Sequence, residues 1–264
     1  PPPAIVWLEP HSKLSLVHEY AGEGYYFTNA VTRCHVGAGA SLAHAYLQEQ
    51  SPSAVHVDSV VATLGEDAEY DAQFMQWGGR ISRVNLDLEF ASPGGHADID
   101  GLALGSGSQL LDLHSTLKHN APRCTSNQRQ RNAASGRARI VFRGAVDIPS
   151  GSDVSVAHQL CRSLLLSDRA RVDVAPTLEI GTDEVECTHG ATVSDLDDEM
   201  IFYLQSRGLG RDGARQLLLE GWARESMQKV PSDAARNRVV AKAAELAAEI
   251  RDDPARSGRR YASI

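Results

Sequence analysis

The chain is poor in the residues that build disulfide, metal-ribbon or membrane chemistry. Among 264 residues there are only four cysteines, Cys34, Cys124, Cys161 and Cys187. They are widely separated and form no CxxC pair. That spacing excludes a zinc ribbon and is not a secreted disulfide framework, so a reducing compartment is expected. No apolar run approaches the roughly 18–20 residues of a membrane-spanning helix. Positive charge is also short, with 26 Lys and Arg against 34 Asp and Glu and a net charge of −8. Nucleic acid or an anionic membrane as principal partner would need the opposite balance. There is no GxxxxGK followed by Ser or Thr to hold ATP, no GxSxG nucleophile elbow and no HExxH. The opening PPPAIVWLEP lacks signal-peptide and transit-peptide character and has no Met, as expected of a processed or trimmed chain.

What is present is a soluble-domain composition, 42% hydrophobic and 23% charged, in a chain long enough for one or two domains. Up to about residue 194 the pattern is strand-like. Val55–Val61, Val84–Phe90, Arg137–Phe142 and Arg171–Val174 each alternate apolar with polar residues, the period of a half-buried strand. The connections between them repeat as well. Val36-Gly-Ala-Gly-Ala-Ser-Leu, Leu64-Gly-Glu-Asp-Ala-Glu-Tyr, Leu104-Gly-Ser-Gly-Ser-Gln-Leu, Ile148-Pro-Ser-Gly-Ser-Asp-Val and Leu166-Ser-Asp-Arg-Ala-Arg-Val share one form. An apolar residue precedes three turn formers, a small residue follows, and a strand resumes. One corner used repeatedly suggests a solenoid whose rungs bury their apolar faces on one another. A β-sandwich or barrel would also supply many short strands.

From residue 195 the period becomes helical. Ser194 and Asp195 are candidate caps for a helix with Asp197, Asp198 and Glu199 in its first turn and an apolar side of Met200, Ile201, Tyr203 and Leu204. A second helix is expected from Asp212 towards Val230, carrying Leu217, Leu218 and Trp222, and a third from Ser232 to Ile250. The chain thus divides into a β core (1–194), a helical region (195–251) and a flexible tail (252–264).

Several residues invite chemistry and have a plainer explanation. Asp112 and His114 share a strand face, whereas His119 falls on the opposite one, so spacing alone makes no metal site of the three. Gly105–Ser108 lacks the GxGxxG spacing and is a turn. Asp98 and Asp100 resemble solvated strand carboxylates. Cysteines in such a chain are most often small buried hydrophobes.

The run Leu178-Glu-Ile-Gly-Thr-Asp-Glu-Val-Glu-Cys187-Thr-His189-Gly-Ala-Thr192 resembles the SufD branch of the SufB/SufD family, and Ile201-Phe-Tyr203-Leu-Gln-Ser-Arg207-Gly208 follows at the family's distance. Asp112, His114, Thr116, His119, Pro122, Cys124, Ser126, Gln128, Phe142, Gly144, Gln159 and Leu164–Ser167 fit the same pattern. Where a SufB-like chain usually has Glu-His-Glu-Ala, this one has His189-Gly-Ala-Thr. The resemblance covers roughly residues 110–225. It implies a mainly β protein with a right-handed parallel β-helix core followed by a C-terminal α-helical region. It implies a scaffold subunit with no turnover of its own, pairing with a SufB-like paralogue and an ABC-type SufC-like ATPase to assemble iron–sulfur clusters in a bacterial cytoplasm or a plastid stroma. In that family the histidine at the position of His189 lies at the SufB interface and is implicated in cluster formation. His189 is therefore a candidate transient metal ligand shared with the partner, and Cys187, on the same face if extended, a candidate nearby thiolate. No cluster would be held stably by this chain alone. The implied ATPase-docking residues are Tyr203, Arg207, Leu217, Leu218 and Trp222, although the second helix could equally cap the solenoid end. Isolated subunits could self-pair as a homodimer. Two departures stand out: strand-like sequence begins almost at once, without the helical region usual in the family, and the third helix is unusually rich in Ala and charge. The alternatives are a SufB-like cluster-binding subunit and a β-solenoid enzyme acting on polysaccharide, the latter requiring a pair of free carboxylates.

Overall fold

The computed structural model describes residues 3–250, so the expected tail at 252–264 lies outside the described residues. Fourteen strands alternate between two parallel sheets. One sheet contains β1 (Ala4–Leu8), β3 (Phe27–Val36), β5 (Val55–Leu64), β7 (Ile81–Phe90), β9 (Leu110–His119), β11 (Arg139–Ile148) and β13 (Arg171–Ile180). The other contains β2 (Lys13–Tyr20), β4 (Ser41–Gln48), β6 (Glu69–Gln76), β8 (His96–Gly105), β10 (Thr125–Ala134), β12 (Ser155–Leu165) and β14 (Val185–Ser194). Each strand pairs with the strand two further on, so consecutive strands form one coil and successive coils stack. This is a parallel β-solenoid; the sandwich and barrel alternatives are excluded.

The stacking follows from the sequence period. Strand β5 alternates half-buried and buried residues along its whole length. Its inward members meet identically oriented residues of the next coil: Val36 pairs with Leu64, Leu64 with Phe90 and Phe90 with His119. Such columns make one continuous interior, with Tyr46, Tyr70, Phe74, Phe90 and Phe142 among its largest fully buried side chains.

The corners are as regular as the strands. At the turn between the two strands of each of six coils stands one residue in the left-handed region: His11, Gly39, Asp67, Gly94, Arg123 and Val154, with φ between 50° and 80°. The backbone N–H of each donates to a carbonyl of the next coil, as Gly39 does to Glu66 and Val154 to Glu184. Of the repeated corners read from the sequence, those at Val36, Leu64 and Ile148 belong to this ladder, whereas those at Leu104 and Leu166 form the opposite turn, between β8 and β9 and between β12 and β13. Four of the ladder's steps are taken by residues other than glycine, and Val154 is β-branched, the least favourable choice.

The helices α1 (Asp198–Ser206), α2 (Arg211–Arg224) and α3 (Asp233–Ala248) follow the solenoid, with a 3₁₀ turn at Glu225–Met227. Two expectations are corrected here. The cap of α1 is Asp197, whose side chain accepts from the backbone N–H groups of Glu199 and Met200, while Ser194 is still strand. The hydroxyl of Ser232 caps α3 as expected. Helices α2 and α3 cap neither end of the solenoid. They lie along the outer face of the second sheet, where Leu219, Ala223, Val239, Ala243 and Leu246 pack on Ala45, Leu47, Met75, Leu102, Ala133 and Leu164. The sheet presents an apolar stripe there, and burying it is worth about 25 cal/mol per Å². Lys229 Nζ fastens this layer to Asp71 (2.6 Å) and Asp98 (2.7 Å).

The first three coils enclose a histidine and tyrosine cluster. His44 Nδ1 lies 2.9 Å from Tyr70 Oη, and Tyr46 Oη lies 2.7 Å from His56 Nε2. Burial pushes His44 down to about 3 and His56 to about 4, and likewise His119, two coils beyond His56, to about 4.

Two predictions follow from coil geometry and burial. Val154 is 61% exposed, so truncation removes little buried surface. Val154→Gly should stabilise the fold by about 1 kcal/mol, because the left-handed penalty of about 1–2 kcal/mol exceeds the extra chain entropy of glycine; urea unfolding measures it. Secondly, histidines whose folded pKa is depressed bind more protons when unfolded. Their contribution is complete above the ordinary value of 6.5 and is lost as pH falls towards about 4. Each adds a slope of up to about 1.4 kcal/mol per pH unit. Asp58, raised by burial, offsets part of this at the acid end. His119→Gln should flatten the pH dependence of the urea midpoint by about one proton's worth.

Candidate functional site at the open end of the solenoid

The last coil, β13 and β14, has a neighbour on one side only. In β14 the inward positions are Val185, Cys187, His189, Ala191 and Val193, beside Ser155, Ala157, Gln159, Cys161 and Ser163 of β12. Buried positions of β12 find partners on both sides, whereas those of β14 remain half open: Cys187 is half-buried against the core and His189 is exposed. The two residues singled out by sequence therefore share one face, as their spacing required, and stand at the mouth of the interior.

Beneath His189 the interior is polar. Gln159 Nε2 donates to Gln128 Oε1 at 2.8 Å, and Gln128 Nε2 donates to Ser115 Oγ at 2.7 Å. At the open edge of the same strands, a depression of about 380 Å³ is lined by His189, Gln159 and Gln128 together with Asn127, Arg129, His158, Leu160, Thr188 and Gly190. Gly190 leaves space there that a side chain would take.

Cys187 is a free thiol, as are the buried Cys34, Cys124 and Cys161. Burial pushes the Cys187 thiol above its ordinary value, and the neighbouring Glu186 carboxylate adds to the shift, while the Ala157 backbone opposes it. The expected thiolate is thus a thiol in the chain by itself, and an incoming cation would have to displace its proton. Among the described residues, no three His, Cys, Asp or Glu side chains converge in a way that could hold a metal ion.

The helical residues divide. Tyr203 is exposed, with the Arg207 guanidinium 5.3 Å from its ring centroid, and Leu217 is exposed on α2. Leu218 is half-buried, and Trp222 packs into the layer between α2, α3 and the sheet. The sequence placed Met200 and Tyr203 on the buried side of α1, yet only Ile201 is buried, while Phe202 is 73% exposed. Met200, Phe202 and Tyr203 leave an apolar surface on a helix that contacts little besides α2.

Other candidates are committed elsewhere. His114 Nε2 lies 2.9 Å from Asp112 Oδ1 on the outer face, and His119 points inward to Ser126 Oγ at 2.9 Å. Asp98 and Asp100 are not solvated as expected. Asp100 is buried and bidentate with Arg129, at 2.7 and 2.9 Å, and Asp98 is tied to Lys229 and Asn127. The His96 hydrogen bond, with Lys229 and Asn127 behind it, holds the Asp98 carboxyl well below the usual carboxylate range. No helix among the described residues is long and apolar enough to cross a membrane.

The sequence of this solenoid and its first helices matches a family model. The profile described as "SUF system FeS cluster assembly, SufBD core domain" covers residues 2–222, and the chain belongs to that family. It is 33% identical over 246 residues to the chloroplastic protein ABCI7 of Arabidopsis thaliana, spanning 90% of this chain and 52% of that one. It is 34% identical over 206 residues to the SufBD family protein slr0076 of Synechocystis, spanning 78% and 46%. It is 31% identical over 217 residues to the iron–sulfur cluster assembly protein SufD of Escherichia coli, spanning 82% and 51%. The chain spans about half the length of these curated relatives.

Thiol chemistry gives the test of this geometry. Alkylation by iodoacetamide should modify Cys187 alone in the native chain, with a pH midpoint above that of a free cysteine, about 8.5. Cys34, Cys124 and Cys161 should react only on unfolding, with peptide mapping as the readout.

Proposed function

We propose that this chain is a SufD-like scaffold that performs no turnover itself and assists iron–sulfur cluster assembly as one subunit of a complex. The carrying observation is the placement of His189 and Cys187 on the inward face of an uncovered terminal coil. A second subunit docking on that end would bury both residues against its own surface. Imidazole and thiolate are sound iron ligands. Two ligands from this chain are too few for a cluster, so the remainder come from the partner, and the cluster is cargo shared across the interface. A SufB-like paralogue with the same coil geometry could continue both parallel sheets across the open edges of β13 and β14.

The exposed face of Met200, Phe202 and Tyr203, with Arg207 and Leu217, is the proposed seat of a SufC-like ATPase. Trp222 supports it from behind in the layer that anchors α2 to the sheet, and Leu218 is half-buried on the same helix. ATP turnover in that subunit would shift α1 and α2 relative to the terminal coil they follow in sequence. The same open end would let isolated chains pair as homodimers. Bacterial and chloroplastic relatives support a cytoplasmic or stromal setting. The commitment of Asp98 and Asp100 to Lys229 and Arg129 weighs against a polysaccharide-active solenoid, which needs free paired carboxylates.

Light scattering after gel filtration should show a defined complex when the chain is mixed with SufB-like and SufC-like partners. Phe202→Asp should weaken ATPase binding at least ten-fold, the desolvation loss of one large apolar anchor, and leave SufB pairing intact. His189→Ala should leave both associations intact and abolish cluster formation by the assembled complex. Unchanged cluster yield would remove His189 from the mechanism.

A further inference from the structure

The charge of this chain is concentrated at one end. From Arg171, where the last coil begins, to Glu199, in the first turn of α1, stand nine of the 34 Asp and Glu but one of the 26 Lys and Arg. That stretch alone carries the whole net charge of −8; outside it acids and bases balance at 25 each. The acids gather at the two ends of β14. Glu179, Asp183, Glu184 and Glu186 surround the corner that leads into it, and Asp195, Asp197, Asp198 and Glu199 follow its last residue. Part of this charge is used within the chain. Arg139 holds Asp173 at 2.6 Å, Arg211 lies 3.5 Å from Asp198, and Asp197 caps α1. The corner cluster is different. Glu179, Asp183, Glu184 and Glu186 are exposed and pair with no Lys or Arg among the described residues; His158 stands 3.9 Å from Glu186.

These charges frame a surface that is unfinished on independent grounds. Strands β13 and β14 each have a neighbour on one side only, so each turns a row of unpaired backbone N–H and C=O groups away from the protein. Gln159, the neighbour of His189 in register, is 3% exposed, and its Oε1 has no hydrogen-bond partner among the described residues. Main-chain pairing at an open edge takes little account of sequence. Charge is what chooses among the strands that fit. A second copy of this chain has nothing to match the acidic corners. Its own last coil would set acid against acid, and its other end, up to the start of β3, offers Glu9, Glu19 and Glu23 against Lys13.

We infer that the acidic corners of β14 select a partner whose facing edge carries Lys or Arg at both ends of a strand, and that they hold this end apart from a second copy of the chain. This deepens the proposed scaffold role by giving the charge of the subunit that docks there, and it rests on that role for the subunit's identity. Opposite charges draw the two edges together over about a Debye length, roughly 8 Å at physiological salt, and like charges keep copies apart. Self-pairing at the open end is confined to conditions that screen the corners.

The test uses a basic edge of matching geometry, supplied by a charge-reversed copy of the chain itself. In the variant Glu179→Lys/Asp183→Lys/Glu184→Lys/Glu186→Lys, four exposed acids become bases and no inward residue changes. Sedimentation velocity at about 0.01 M salt, where the Debye length is about 30 Å, should show native chain alone as a monomer. Native and reversed chains should associate one to one, at least about ten-fold more tightly than native with native. At about 1 M salt, with a Debye length of about 3 Å, that preference should disappear. Binding of native chain to a SufB-like partner should weaken at least about ten-fold over the same range. If the reversed chain does not fold, the neutral variant Glu179→Gln/Asp183→Asn/Glu184→Gln/Glu186→Gln takes its place and should lose most of the salt dependence towards that partner. Native chains that pair with one another at low salt as tightly as with the reversed chain overturn the inference, as does a SufB-like partner bound equally well at both salts. Charge selectivity between native and reversed chains, without binding of any SufB-like partner, would instead overturn the proposed function and leave the selectivity intact.

Discussion

Everything in this molecule depends on one constraint: each coil must close in register on the coil before it. A parallel ladder shifted by one residue would turn every inward side chain outward. The corner ladder enforces the register. In six of the coils a residue of this corner enters the left-handed region, and its N–H reaches the next coil, so the turn is tied to its neighbour as the strands are. The molecule tolerates an unfavourable residue such as Val154 there because hydrogen bonds on both flanks over-determine the conformation.

The same constraint makes the ends special. An interior coil buries its inward residues from both sides; a terminal coil does so from one. Cys187 and His189 have the same inward orientation as the buried Ala157 and Gln159 below them, and differ only in having no coil above. The proposed function would need no separate architecture: it would use the position at which the repeating structure stops, where inward-facing side chains are left half open. The helical layer leaves that end free because it follows the apolar stripe along the flank.

Much of this was legible in sequence. Period-two alternation located the strands, and the recurring turn formers located the corners, because both are local consequences of backbone geometry. Asp112 and His114 were placed on one face and His119 on the other by parity alone, and the structure agrees. The cap of α1 was misplaced because Ser194, Asp195 and Asp197 are all competent, and the length of β14 decides among them. The apolar character of α1 was misread in the usual direction: Met200 and Tyr203 look like core on a helical period, yet no surface of this chain comes to meet them. Asp100 looked solvated because its partner, Arg129, is a full coil away in sequence.

By itself, the sequence determined the repeating unit, the change from strand to helix near residue 195 and the common face of Cys187 and His189, since each depends on residues close together in the chain. The tertiary structure decided which coil would be last and uncovered, where the helices would lie, and that Ser115, Gln128 and Gln159 would be hydrogen-bonded together beneath His189. Those relations join residues on different strands, and only the closing and stacking of coils in register, set by burial of apolar faces and saturation of backbone hydrogen bonds, brings them together.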